Sequence, residues 1–368
     1  MPKQKRKLTD KMLLKAVTEL GGADKAPELG DMLGFPERTI RYRLQRLKEK
    51  GYLDRIWPQT IDAKLGLGEL GLFLVLTEEH RNIPREFLYC FKNLNILWAT
   101  FGRYNGYFSA GGYPIDSPEI IDDLIHSLKR MNIITDWFRF NTVDFIPLSA
   151  DLSRYNPKTG WTWDWKEWVE QSENAIKSGE PVGFDLVLDQ GSMDYDHKDI
   201  AILAEIKEYG HISSKEISRR VGLSDTQVRA RIRRLRDENV LKESIWLIPP
   251  TPNSMVMYTF VELDTPDDPA LSCFRYLPFR KEIYFDKPNK YAVRINMNSS
   301  DLVYYMLAFE KLRTHFNTYF FQIVVNPTSI PEGRHSLYKL YNESTGRWEM
   351  PMDEYIRNLE RFIEQLKL

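Results

Sequence analysis

Apolar residues recur along the chain with two periodicities, one typical of helices and one typical of strands, in alternating segments. Spacings of three and four residues predict helices near the start, in "TDKMLLKAVTELGG", "APELGDMLG" and "ERTIRYRLQRLKEKG". Continuous or alternating apolar runs such as "LGLFLVLTEE" predict strands soon afterwards. The same succession returns in the second half, with helices predicted in "DHKDIAILAEIKEYG", "SSKEISRRVG" and "DTQVRARIRRLRDEN". The pattern predicts an α+β protein in which one kind of unit occurs twice.

The two halves are related by a nearly constant offset. At an offset of 188, four apolar positions of the first half match four of the second: Ile40, Leu44, Leu47 and Leu53 with Val228, Ile232, Leu235 and Leu241. Further matches, among them Trp57 with Trp246, shift the offset only between about 183 and 189. We infer a tandem duplication of a unit of roughly 185 residues.

The first part of each unit is predicted to hold three helices and a β-rich string. Ser213 and Ser224 are expected N-caps, Gly222 is expected in a turn, and Pro36 opens the third helix of the first unit. A short helix, a turn and a longer basic helix form the helix-turn-helix pattern. The strings "YLDRIWPQTID" and "VLKESIWLIPP" are interpreted as wings.

The second part of each unit alternates strands and helices in the order β-α-β-β-α-β, which is the ferredoxin-like module. In it, "PREFLYCFKNL" and "PALSCFRYL" are predicted first helices. The expected architecture is therefore α+β, with two winged helix-turn-helix domains alternating with two ferredoxin-like modules. The predicted boundaries are 1–62 and 193–250 for the winged domains, 63–150 and 251–328 for the modules, and 151–192 and 329–368 for two extensions.

Charge is distributed unevenly although the formal net charge is only −1. Residues 1–60 carry fourteen Lys and Arg against eight Asp and Glu, and residues 196–248 carry eleven against nine, so the remainder is at −9. On a helical wheel, Val228, Ile232 and Leu235 share the side predicted to pack. Arg233 and Arg234 look outward, whereas Arg231 and Arg236 lie nearer the packed side.

Exposed Arg, Gln and Thr side chains on such a helix suit the DNA major groove, where Arg contacts guanine and Gln contacts adenine. The competing interpretation is a solvated charged helix. The expected DNA-binding residues are Arg38, Thr39, Arg41, Tyr42, Gln45 and Arg46 in the first unit, and Thr226, Gln227, Arg229, Ala230, Arg233 and Arg234 in the second. The basic string "KQKRK" at residues 3–7 has two possible interpretations: an arm that binds phosphate, or a disordered basic tail.

With this order of elements, the chain resembles the Lrp/AsnC transcription regulators of bacteria and archaea, present twice in one polypeptide. The resemblance implies sequence-specific binding of double-stranded DNA and dimerisation through the α/β modules, either within the chain or in a homodimer. It also implies an amino-acid effector near a Gly-x-x-Asp-like turn. The matching turns depart from that pattern, because "GRYNG" has Asn105 at the acidic position and "KPNKY" lacks the glycine.

Two further expectations follow from the duplication and from the charge. The outward residues differ between the two copies, which predicts an asymmetric DNA site. The acidic remainder could recruit basal transcription machinery, as some archaeal tandem-module activators do.

Four tryptophans within eight residues, Trp161, Trp163, Trp165 and Trp168, mark the first extension. An exposed docking site for another protein is one interpretation. The counterpart "RWEMPMDEY" keeps apolar but not aromatic character, which favours an extension packed over an α/β module. The final "DEYIRNLERFIEQLKL" is amphipathic and is expected to dock in the same way.

Composition argues against several other classes. No apolar run reaches the ~20 residues of a membrane helix and no signal peptide is evident, so a cytoplasmic protein is expected. The two cysteines occupy equivalent positions and are expected to be buried rather than paired, and six dispersed histidines predict no metal site. We expect no cofactor, no catalytic residue and no enzyme. Sirohaem decarboxylases, which resemble the same two-module architecture, are the alternative.

Overall fold

The structure is a computed structural model of the full chain. It describes residues 7–20, 26–54, 56–142, 144–148, 150–179, 182, 191–210, 212–246, 253–266, 268–287, 289–325 and 336–366. The first unit opens with a helix-turn-helix and one strand: α1 (Asp10–Leu20), α2 (Ala26–Leu33), α3 (Glu37–Glu49) and β1 (Ile56–Thr60). Its module follows as β2 (Leu67–Leu76), a 3₁₀ helix (Arg85–Cys90), β3 (Leu94–Gly102), β4 (Gly106–Pro114), α4 (Glu119–Arg130), β5 (Ile134–Thr142) and β6 (Asp144–Leu148).

The first extension contains a short hairpin and a helix: β7 (Tyr155–Asn156), β8 (Gly160–Trp161) and α5 (Trp165–Ser178). The second unit repeats the order with α6 (His197–Tyr209), α7 (Ser214–Val221), α8 (Asp225–Asp237), β9 (Leu241–Trp246), β10 (Ser254–Glu262), a 3₁₀ helix (Pro269–Tyr276), β11 (Lys281–Lys287), β12 (Lys290–Asn298), α9 (Leu302–Leu312) and β13 (Thr318–Val324). The second extension ends the chain with β14 (Tyr341–Asn342), β15 (Arg347–Trp348) and α10 (Met352–Leu366).

The fold is thus the expected mixed α/β architecture with a repeated order of elements. One prediction was inaccurate in detail, because the first helix of each module is a 3₁₀ helix. Its backbone bonds span three residues, as in the bond from the N–H of Phe87 to the carbonyl of Pro84 at 3.1 Å. This tighter winding fits a short crossover between two strands.

The local signals of the helix-turn-helix are confirmed in the second unit. The Ser213 and Ser224 side chains cap α7 and α8, and Ser224 forms a capping box with Gln227. Gly222 ends α7 in the left-handed region with φ of 68°, which a residue with a side chain rarely adopts. Pro36 is the N-cap of α3.

Within the described residues, each predicted wing contributes one strand, and the two strands pair with each other across the two copies. β1 and β9 are antiparallel, with Ile56 opposite Trp246 and Trp57 opposite Ile245. Since Ile56 is equivalent to Ile245 and Trp57 to Trp246, each contact is matched by its symmetry-related contact. This self-complementary register is that of a twofold dimer interface, formed here within one chain.

The two modules also join, forming a nine-stranded sheet in the order β5-β2-β4-β3-β13-β10-β12-β11-β6. β3 of the first module pairs with β13 of the second. At the other end, β11 pairs with β6, which follows β5 in the chain after one residue. The two terminal strands of the sheet, β5 and β6, are therefore neighbours in the chain, and β6 of the first module covers the edge strand β11 of the second.

Aromatic side chains fill the interior between the two modules. Phe73 of the first module lies 5.6 Å from Phe260 of the second, measured between ring centroids, and Phe108 lies 5.2 Å from Tyr258. The buried cluster consists of Phe73, Phe108, Phe140, Val256, Tyr258, Phe260, Ala292 and Val324. Because both copies contribute to one core, the modules are held together largely by apolar burial.

The extensions are exchanged between the copies. Trp168 on α5 is fully buried against the second module, where its indole N–H donates to the carbonyl of Cys273 at 2.7 Å. Tyr355 on α10, at the equivalent position, packs on Phe91 of the first module at 5.6 Å. Trp161, Trp163 and Trp165 also pack on the second module. The tryptophan segment thus contributes to a core, although to the core of the opposite copy.

Both cysteines, Cys90 and Cys273, are buried and unpaired in the equivalent 3₁₀ helices. Burial raises the pKa of Cys90 to about 11. Among the described helices, none combines the length and the apolarity that crossing a membrane would require.

Candidate nucleic-acid interface

The candidate interface is the solvent-facing side of the third helix of each helix-turn-helix, α3 and α8. Ile40, Leu44 and Leu47 are buried under α3, and Val228 and Leu235 under α8. Of the twelve predicted DNA-binding residues, Thr39 is half-buried and the others are exposed: Arg38, Arg41, Tyr42, Gln45, Arg46, Thr226, Gln227, Arg229, Ala230, Arg233 and Arg234. The helical wheel therefore separated the packed side from the open side correctly, except that Arg236 is exposed.

An ion-pair cluster attaches α8 to the first helix of its own domain. Arg231 donates to both oxygens of Asp196, at 2.8 and 2.9 Å, and to Asp199 Oδ1 at 2.9 Å. Asp199 is fully buried, and its other oxygen accepts from Arg234. Partial burial of Asp196 opposes its charged form, but the charge and hydrogen bonds of Arg231, with the backbone N–H groups of Lys198 and Asp199, together outweigh this and lower the pKa of that carboxyl. The cluster fixes the angle at which α8 is presented.

The first unit contains the equivalent contact. Arg43, which matches Arg231 at the offset of 188, donates to Asp10 Oδ1 at 3.0 Å, and Lys50 contacts the other oxygen at 2.5 Å. A basic residue on the inner flank of the third helix thus contacts an acidic residue of the first helix in both copies. Sequence reasoning missed this pairing, although the matched positions of Arg43 and Arg231 were a signal for it.

The arginines of the open side differ in how they are held. Arg41 pairs with Glu37 at 2.7 Å, and Arg229 pairs with Asp225 at 2.7 Å, each one turn back along its own helix. Arg234 is 45% exposed in its side chain but is anchored to Asp199. In contrast, Arg38, Arg46 and Arg233 have no ion-pair partner among the described residues, and of these Arg46 lies over the Tyr42 ring, which leaves Arg38 and Arg233 without either kind of contact. These two guanidinium groups keep all their donors for a ligand.

The remaining open residues give each helix a different surface. On α3, the Tyr42 ring is 61% exposed and lies beneath Arg46 at 6.0 Å, while Gln45 donates to Glu49. On α8, Ala230 leaves an open space at the position of Tyr42. Gln227 Oε1 accepts from the backbone N–H of Ser224 at 2.9 Å, so that its amide oxygen serves the cap. The two helices therefore present similar charge on unlike shapes.

A second buried ion pair ties the second helix-turn-helix to the rest of the chain. Lys207 on α6 lies 2.5 Å from Asp62, whose other oxygen accepts from the Tyr338 hydroxyl at 3.1 Å. Burial opposes the charge on Lys207, but Asp62, Tyr338 and Glu69 together outweigh it and raise the lysine pKa above its ordinary value. Because Lys207, Asp62 and Tyr338 come from three parts of the chain, this contact limits rotation of the domain relative to the first module.

The turn around Asn105, expected from the resemblance to lie near an amino-acid effector, forms hydrogen bonds with other residues of the chain. Asn105 Oδ1 accepts from the Gly102 N–H at 3.0 Å, which closes the turn. The buried Gln322 of β13 accepts from the Tyr104 N–H at 3.1 Å and donates to the Tyr104 carbonyl. The turn therefore helps to join the two modules, and amino-acid sensing at it stays a prediction. The second matching turn includes Pro288, which lies outside the described residues.

The basic string at 3–7 also lies outside the described residues, apart from Lys7. Within the described ranges, no three His, Cys, Asp or Glu side chains are grouped in a way that could hold a metal ion.

Residues 195–242 match the winged helix-turn-helix DNA-binding family. This segment contains α6, α7, α8 and the start of β9. The chain therefore carries a winged helix-turn-helix of the DNA-binding class, and α8 is its third helix.

A curated relative, an uncharacterized HTH-type transcriptional regulator of Pyrococcus horikoshii, is 36% identical over 72 residues, which are 20% of this chain and 46% of the relative. The chain thus spans about half the length of the relative it matches. Among solved structures, the siroheme decarboxylase NirDL is similar with 14% identity and a TM-score of 0.47, over 97% of this chain and 100% of that chain. AsnC of E. coli has 17% identity and a TM-score of 0.26, over 38% of this chain and 94% of that chain.

Proposed function

We propose that this protein is a transcription regulator that binds double-stranded DNA through two third helices, α3 and α8, lying in the major groove. One observation carries the proposal. Both copies present an arginine-bearing third helix whose open side is solvent-exposed and whose inner flank is fixed to the first helix by an arginine–aspartate pair. A charged helix that is merely solvated has no need of that repeated bracing.

Within this proposal, Arg38 and Arg233 are the principal DNA contacts, because their guanidinium groups are engaged neither in ion pairs nor in a ring contact among the described residues. Thr226, Ala230, Thr39 and Tyr42 contact base edges, while Arg41, Arg46 and Arg229 bind phosphate or the groove wall. Gln227 and Arg234 contribute less than the sequence suggested, since the cap and Asp199 hold them.

The antiparallel β1–β9 pairing supports a pseudo-twofold arrangement of the two helices. A single chain would then bind two half-sites, as a dimer of a single-copy regulator would. Because Arg38, Tyr42 and Gln45 correspond to Thr226, Ala230 and Arg233, the two half-sites differ. Recruitment of basal transcription machinery by the acidic part of the chain stays a prediction.

Selection of bound fragments from a random DNA pool tests the proposal. We expect two unlike half-sites with a fixed spacing. Arg38→Ala and Arg233→Ala should each weaken binding and reduce the salt dependence by about one unit. Lys177→Ala, which removes an exposed lysine on α5, is the matched control and should change neither quantity. If the Arg38 and Arg233 double variant bound DNA like the wild type at moderate salt, the proposal would be wrong.

The same preparation tests the alternative enzyme class. A sirohaem decarboxylase would retain added tetrapyrrole and show its Soret absorbance, whereas the proposed regulator should retain none after gel filtration. If the protein retained the tetrapyrrole and did not bind DNA, the regulator proposal would be wrong and the sirohaem decarboxylase class would take its place.

A further inference from the structure

The outer side of α9 exposes a cluster of large apolar side chains. Val303, Tyr304, Met306 and Leu307 are 62, 59, 44 and 63% exposed. At 100° per residue they occupy one continuous arc of about 160°. The opposite side of the helix packs normally, with Tyr305, Ala308, Phe309 and Leu312 buried. Four such residues within five positions, on one side of a helix, are more than scattered exposure, which is common on protein surfaces.

The equivalent helix of the first module provides an internal comparison. The buried residues of α4, Ile121, Leu124, Ile125 and Leu128, match those of α9 at an offset of 184. At the same offset, Glu119, Asp122 and Asp123 of α4 take the positions of Val303, Met306 and Leu307, and all three are exposed. One copy has kept this face acidic and the other has made it apolar, so the fold itself does not require the apolar residues.

The geometry points to a second copy of this chain as the occupant: two α9 helices pack antiparallel across a twofold axis and form a homodimer. The exposed apolar area of the four side chains is on the order of 450 Å² in each chain. Doubled across the axis it comes to about 900 Å², and the polar side chains that flank the patch bring the contact to the roughly 1,000 Å² that is the lower limit for a specific interface. A patch that meets itself across a twofold axis also closes the assembly at two chains.

The charges at the ends of the patch fit this pairing. With the axis near Tyr305, Val303 of one helix faces Leu307 of the second copy. Glu310 then faces Ser300 of the second copy, near the N-terminal end of the second α9, where the helix dipole is positive. A parallel pairing would instead place like charges together.

The resulting assembly would carry four helix-turn-helix domains. The interface lies on the module and not on α3 or α8, so it does not depend on DNA binding. Loss of dimerisation and loss of the proposed function are therefore separately observable.

Sedimentation equilibrium of the full-length protein tests the inference. We expect a dimer for the wild type, and at least a hundredfold weaker association for Val303→Glu/Leu307→Glu, because like charges would face each other in a desolvated contact. Glu119→Lys/Asp123→Lys, at the matched positions of α4, should remain dimeric. A monomeric wild type, or a Glu variant that associates as the wild type does, would overturn the inference.

Cross-linking keeps the test decisive if the Glu variant does not fold. Val303→Cys/Leu307→Cys should form a disulfide-linked dimer under mild oxidation, and the native cysteines will not compete because both are buried. Linkage into chains longer than two, or none at all, would contradict the antiparallel pairing.

Discussion

Arg231 and Asp199, 2.9 Å apart, connect the third and first helices of the second helix-turn-helix at a point where the carboxylate has no access to solvent. Arg43 and Asp10 make the corresponding contact in the first unit, where the carboxylate is 28% exposed. Both copies thus have the same arginine–aspartate contact between the third and first helices, but the aspartate is fully buried in one copy and partly exposed in the other. The effect of burial on the strength of this contact can therefore be measured within one protein.

Asp199→Ala should lower the stability of the second helix-turn-helix by about 1.5–3 kcal/mol, because it removes the buried carboxylate that accepts from Arg231 and Arg234, while Arg231 keeps its bonds to Asp196. Hydrogen exchange of the α6 and α8 amides would measure the loss. Asp10→Ala is the matched control, and its effect should be smaller because Asp10 is partly hydrated. Equal losses at the two sites would show that burial does not set the strength of the contact.

Arg38→Thr/Tyr42→Ala should make the selected DNA site more symmetric. The two substitutions give α3 the residues that α8 has at these positions, so the two helices would favour more similar half-sites. Selection from a random pool, repeated with the variant, measures the change. An unchanged asymmetric site would mean that these positions do not contact bases.

The free energy of unfolding should depend on pH through Lys281. This buried lysine donates to the carbonyls of Leu277 and Phe279, at 2.6 and 3.3 Å. Burial lowers its pKa to about 7, whereas in the unfolded chain it is ordinary. Above pH 7 the unfolded chain therefore binds more protons than the folded chain, and stability rises with pH by up to about 1.4 kcal/mol per unit until the lysine also loses its proton in the unfolded chain.

The corresponding measurement compares the wild type with Lys281→Met by chemical denaturation from pH 6 to pH 10. The variant lacks the charge penalty, so its stability relative to the wild type should fall as the pH rises. Loss of the two hydrogen bonds shifts the whole curve but does not change its slope. A constant difference between the two proteins would exclude a pKa of Lys281 near 7.

Trp168→Ala should destabilise the second module by about 3–5 kcal/mol, since it empties a fully buried site and removes the bond to the Cys273 carbonyl. Trp163→Ala, at a half-buried position of the same segment, should cost less. Thermal unfolding of both variants checks the order. If Trp163 proved the more important residue, the segment would be acting through a surface contact instead of the core.

The local sequence pattern was sufficient to predict the helices and strands, and to predict which side of each candidate DNA-binding helix is exposed. The caps at Ser213 and Ser224 and the buried side of α8 follow from interactions within a few residues, which a sequence displays directly. The 3₁₀ helices were missed because apolar periodicity over six to eight residues does not distinguish the two kinds of helix.

By itself, the sequence determined that one unit occurs twice, that each copy has a helix-turn-helix and a β-α-β-β-α-β module, and which sides of α3 and α8 are open. Only the tertiary structure decided that β1 pairs with β9, that the two modules share one sheet, that each extension covers the opposite module, and that Arg234 is held by Asp199. The physical reason is the separation along the chain between the residues that interact. Helix periodicity and capping act between neighbours in the chain, whereas these paired strands and buried charges find partners 35 to 190 residues away, and that choice depends on which surfaces of the folded copies meet.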